Sequence, residues 1–90
     1  MKEILPHISV GLDDSGRLVV IVDDYELFDF IDDYLGDECD LPQECHTSAE
    51  RPGGEVITMY FSPSVTLEQL EQSLQQLPPE LVEEIYRLNN

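Results

Sequence analysis

Positive charge is nearly missing from this chain. Its 90 residues include 4 Lys and Arg against 20 Asp and Glu, a formal net charge of −16. Gripping phosphates takes clustered Lys and Arg, so the composition argues against direct binding to nucleic acid or to an anionic membrane. Long apolar runs are missing too, and none approaches the roughly 18 residues that a membrane-crossing helix needs. There are only two cysteines, Cys39 and Cys45. The opening MKEILPHISV has neither a long apolar stretch nor a small-residue cleavage site, so reduced thiols in a cytoplasmic protein are expected. A glycine-rich phosphate loop, a basic patch with interleaved aromatics, internal repeats and low-complexity tracts are all lacking.

What is present is enough for one core. A hydrophobic fraction of 41% is ordinary for a globular chain, and 90 residues are too few for two independent cores. Residues 1–90 therefore read as a single domain, with stability on the order of 5 kcal/mol. Charge of one sign at this density repels itself and opposes compaction. It serves solubility, or suits a high-salt or acidic habitat, or it steers the protein toward a positively charged partner.

Local patterns place the elements. Ile8, Val10 and Leu12 alternate with polar or small residues, DDSG supplies a turn closed by Gly16, and residues 18–22 form an unbroken apolar run suited to a strand covered on both faces. Residues 2–5 either extend the first strand or fray. Leu27, Phe28, Ile31, Tyr34 and Leu35 make a helical stripe capped by Asp23 or Asp24, with Gly36 at the left-handed stop. Residues 37–54 read as a long loop. A third strand covers residues 55–61, with Ile57, Met59 and Phe61 on one face. Thr66 and Gln69 fit a capping box ahead of a stripe of Leu67, Leu70, Leu74 and Leu77. Pro79 opens a last helix carrying Leu81, Val82, Ile85 and Leu88. The expectation is an α+β fold: a small three-stranded, mainly antiparallel sheet with helices on one face, in the order β-β-α-β-α-α.

Catalytic patterns are weak. Cys39, Cys45 and His46 form a C-x₅-C-H spacing, with His7 as a remote fourth group, but structural zinc sites use closer pairs. Aligning a calcium loop on Gly36 puts Ile31 and Leu35 at ligand positions. Adjacent Cys45 and His46 do not present both side chains to one substrate, and no third group orients them. Exposed carboxylates keep ordinary acidity and make poor general acids. The sequence thus implies no enzyme, no metal and no cofactor.

The acids are the remaining feature. Between Leu18 and Glu50 there is no Lys or Arg, while eleven acids occur: Asp23, Asp24, Glu26, Asp29, Asp32, Asp33, Asp37, Glu38, Asp40, Glu44 and Glu50. Helices that are merely solvated mix signs to gain i,i+4 pairs, whereas Asp29 and Asp33 stand in like-charge spacing. Aromatic Phe30 and Tyr34 sit among them, with Tyr25 nearby, the mixture that binding hot spots favour. The expected partner-binding set is Asp23, Asp24, Glu26, Asp29, Phe30, Asp32, Asp33, Tyr34, Asp37, Glu38, Asp40 and Glu44.

In size, acidity, lack of a signal and lack of a catalytic set, the chain resembles small bacterial immunity proteins, the cytoplasmic antitoxins of colicin-type, contact-dependent and polymorphic toxins. The resemblance is one of overall character and carries no residue roles. It implies an inhibitor that plugs the basic active-site cleft of a nuclease-type toxin with an acidic helix and loop, acting as a monomer or weak dimer. Two alternatives stand beside it. One is a DNA mimic that inhibits a restriction or CRISPR enzyme. The other is a non-inhibitory adaptor docking through its C-terminal helices, for which exposed Leu81, Val82 or Ile85 is the telling feature.

Overall fold

Asp13 organises the first hairpin. Its Oδ1 accepts hydrogen bonds from the Ser15 amide at 2.9 Å, the Ser15 hydroxyl at 2.7 Å and the Arg17 amide at 2.9 Å. Gly16, at φ +85°, completes the turn in a conformation that side chains disfavour. The strands on either side, β2 (Ile8–Leu12) and β3 (Leu18–Val22), pair antiparallel from Ile8↔Val22 to Leu12↔Leu18. The computed structural model describes residues 1–88. Around this hairpin it places β1 (Lys2–Leu5), α1 (Tyr25–Asp33) running into a π turn (Tyr34–Glu38), β4 (Cys45–Arg51), β5 (Gly54–Tyr60), α2 (Leu67–Gln75) and α3 (Pro79–Leu88).

The fold is α+β, but its antiparallel sheet has five strands, in the order β1-β2-β3-β5-β4, instead of three. The element order is accordingly β-β-β-α-β-β-α-α, not β-β-α-β-α-α. Residues 2–5 neither extend the first strand nor fray. His7 takes φ +67° and folds them back onto β2, where Lys2 faces Val10. Residues 37–54 are not a loop: they contain the end of the π turn, the whole of β4 and the first residue of β5. Pro52 and Gly53 form a two-residue connection between Arg51 and its partner Gly54, with positive φ at both glycines.

Helices cover one face of the sheet. Ile8, Val10, Leu18, Val20, Val22, Ile57, Met59 and Phe61 meet Leu27, Phe28, Ile31, Leu35, Leu70, Leu74, Leu77 and Val82 in a single core. The opposite face carries Ile21, Thr58 and Tyr60 only half-buried, so β3 is not covered along its whole length on both sides, although Val19 on that face is buried. Leu12, expected in the core, is 58% exposed beside the turn of the hairpin, where it pairs with Leu18. Thr66 and Gln69 form the reciprocal capping box at the start of α2. Asp24 caps α1 by accepting from the Leu27 amide at 2.9 Å. Gly36 does not stop the helix in a left-handed conformation. It lies inside the π turn, and the left-handed residue is Asp40, at φ +56°.

Candidate functional site

The stripe that packs α1 also determines where its acids go. With Leu27, Phe28 and Ile31 turned into the core, Glu26, Asp29 and Asp33 fall at i, i+3 and i+7 on the solvent side. The π turn carries this line onward. Cys39 donates its amide to the Tyr34 carbonyl at 3.2 Å, Leu35 stays in the core, and Asp37 and Glu38 remain exposed. Such wide turns recur at functional sites in helices. Phe30, Asp33, Tyr34, Asp37 and Glu38 together border a shallow cleft of about 210 Å³. Two half-buried rings thus sit in a hollow rimmed by three carboxylates.

Among the described residues, no counter-ion reaches this ridge. Within the same set, Glu26, Asp29, Asp33, Asp37, Glu38 and Asp40 make no ion pair: three of the four Lys and Arg are engaged elsewhere, and Arg87, on α3, pairs with none of these acids. Lys2 meets Glu71 at 3.4 Å, Arg17 meets Glu44 at 2.6 Å and Arg51 meets Asp23 at 3.2 Å. Like charges at helical spacing repel, so α1 retains its acids at a cost in helix stability.

The twelve residues expected to form the site therefore separate. Glu26, Asp29, Phe30, Asp33, Tyr34, Asp37 and Glu38 share the ridge and its cleft. Asp40 is exposed just beyond the π turn. Four others have structural employment. Asp24 is the helix cap, Asp23 holds Arg51, Asp32 accepts from the Gln43 amide group at 2.9 Å, and Glu44 holds Arg17. Tyr34 is a fixed wall of the cleft: its hydroxyl donates to the Ser73 carbonyl at 2.7 Å and ties the π turn to α2. Desolvation first, then contact with the Cys39 thiol and the nearby Cys39 and Glu38 charges, pushes the Tyr34 hydroxyl up to about 12.

The cysteines and histidines do not converge. Cys45 and His46 are consecutive on β4, so their side chains leave opposite faces of the strand. His46 packs its ring against Phe28 at 4.7 Å, while His7 stacks on Tyr86 at 3.5 Å near α3. Among the described residues, no three His, Cys, Asp or Glu side chains gather as metal ligands do. On α3, Val82 is fully buried and Ile85 packs against the core, leaving Leu81 and Leu88 exposed. No helix among the described residues is long and apolar enough to cross a membrane.

Sequence reasoning missed β4 altogether. Its signal was the Gly53-Gly54 pair, which marks a hairpin as readily as a loop. No family model matches the chain, and no curated protein or solved structure matches it either.

Proposed function

We propose that the protein is an inhibitory binding module that inserts the ridge of α1 and its π turn into a basic, substrate-binding cleft of a partner protein, with a nuclease-type toxin as the leading candidate. The observation that supports this reading is the uncompensated line Glu26, Asp29, Asp33 and Asp37, held on an ordered helix beside the Phe30–Tyr34 cleft. A cleft that holds phosphates presents Lys and Arg, and a rigid row of carboxylates competes for the same positions. The ordering cost is met in advance, since Leu27, Phe28, Ile31 and Leu35 anchor the ridge to the core. Phe30 and Tyr34 supply apolar contact area next to the charges, as interface anchors do. The reaction belongs to the partner; this chain contributes occupancy of the cleft.

The test is a comparison of the wild type with the triple variant Glu26→Lys, Asp29→Lys and Asp33→Lys. These residues are exposed and unpaired, so the fold should survive, as checked by circular dichroism and the urea midpoint. The wild type, used as bait in an extract of its source cells at low salt, should retain a basic enzyme domain and suppress its activity. The variant should lose that capture mainly through slower association, because complementary charge acts chiefly on the on-rate. Full-strength capture and inhibition by the variant would remove the ridge from the interface.

A further inference from the structure

The two edges of the sheet are built differently. β1 is short, at four residues, carries Lys2, and breaks register between Glu3 and Leu5. Short length, lysine and a bulge are devices that stop an edge strand from recruiting another strand. β4 has none of them. Its seven residues pair with β5 in unbroken register from Cys45↔Tyr60 to Arg51↔Gly54, and all seven are exposed. Between its ends run His46, Thr47, Ser48, Ala49 and Glu50, without lysine or proline. Its outer row of backbone N–H and C=O groups is therefore open for pairing.

We infer that β4 is the edge through which two copies of this chain join, antiparallel about a two-fold axis at Ser48, into a continuous ten-stranded sheet. The side chains favour this occupant. In the register that pairs the whole strand, Ser48 faces Ser48, Thr47 faces Ala49, His46 faces Glu50 and Cys45 faces Arg51. No like charges oppose each other, and the acid of each copy meets the imidazole of the other, twice. A slip of two residues one way brings Glu50 against Glu44, and the other way it sets Pro52, which has no N–H to donate, against His46, so the pairing has a preferred register. A two-fold interface needs such self-complementarity, which β4 possesses and the bulged β1 lacks. The opposing influence is the net charge of −16 on each copy, a long-range repulsion that salt screens. Dimerisation should consequently tighten as salt rises, the reverse of capture of a cationic partner by the ridge.

Cross-linking and mass measurement test this directly. Directly opposed residues lie about 4.5–5.5 Å apart between Cα atoms, within disulfide reach, whereas diagonal neighbours at about 7–8 Å are outside it. In a background with Cys39→Ser and Cys45→Ser, Ser48→Cys should oxidise to a covalent dimer. Thr47→Cys, whose own copy is the diagonal neighbour, should oxidise far more slowly. In the wild type, sedimentation equilibrium over a concentration series should show a dimer that strengthens with NaCl. Ser48→Lys, which sets two lysines face to face, should weaken it by roughly fivefold. Circular dichroism confirms the fold of each variant. The inference is overturned by a wild type that stays monomeric at every concentration and salt, or by Ser48→Cys and Thr47→Cys oxidising at equal rates. It is equally overturned if β4 amides gain hydrogen-exchange protection only on binding a different protein, because the edge then accepts a foreign strand.

Discussion

Tyr34 shows how one residue serves the fold and the site together. Its ring borders the acidic cleft while its hydroxyl is spent on the Ser73 carbonyl. Replacing it by Phe keeps the ring and removes the hydrogen bond, a loss of about 1 kcal/mol in a urea titration. The same substitution should change the alkaline behaviour. The folded state holds the neutral phenol, with its ionisation raised to about 12, whereas the unfolded chain ionises near 10. This group's contribution is therefore complete below about pH 10 and disappears as pH climbs toward 12. Urea midpoints should fall over that window in the wild type more steeply than in Tyr34→Phe. Asp13 runs in the opposite direction. Its bond from the Ser15 hydroxyl, followed by that from the Arg17 amide, lowers its ionisation, so its contribution fades as pH falls below the ordinary carboxylate range. Asp13 and its turn were legible from DDSG alone, because the turn is made by residues within four positions of one another. The role of Tyr34 was not, since Ser73 lies 39 residues away.

Among the elements, the helices follow from spacing and end signals. α2 begins at its capping box and buries Leu70 and Leu74 completely. Thr66→Ala should cost about 1 kcal/mol through the lost cap, and Leu74→Ala about 2–5 kcal/mol through the cavity it leaves. The ordering of these two losses in urea denaturation checks the assignment. β4 was hidden for the complementary reason. A strand exposed along its whole length has no alternation of buried and polar residues to announce it, and what holds it comes from elsewhere in the chain: the pairing with β5, the Arg51–Asp23 ion pair and the His46–Phe28 ring contact. The π turn was likewise beyond reach: Gly36 resembles a helix stop, yet the buried Leu35 and Leu41 draw the chain one wider turn onward.

For the molecule as a whole, charge sets the response to salt. Three of the four Lys and Arg are committed to Glu71, Glu44 and Asp23, and among the described residues none of the four pairs with an acid of the α1 ridge. Raising NaCl shortens the screening length from about 30 Å at 0.01 M to about 8 Å at 0.15 M. The urea midpoint of the isolated protein should rise over this range as self-repulsion fades. Capture of a cationic partner should weaken over the same range. Opposite slopes from one titration would separate the charge that strains the fold from the charge proposed to bind a partner.

Composition, the alternation in β2, the stripes of α1 and α2 and the acid-only segment were all decided by the sequence itself, since each rests on residues near one another along the chain. Distribution of the acids was decided by the tertiary structure. Arg17, Gln43 and Arg51 arrive from other elements to claim Glu44, Asp32 and Asp23, while the core packing of α1 turns Glu26, Asp29 and Asp33 outward together. The difference is physical: periodicity says which side of a helix is polar, but only folding brings distant partners close enough to take some charges out of play and leave the rest in a row.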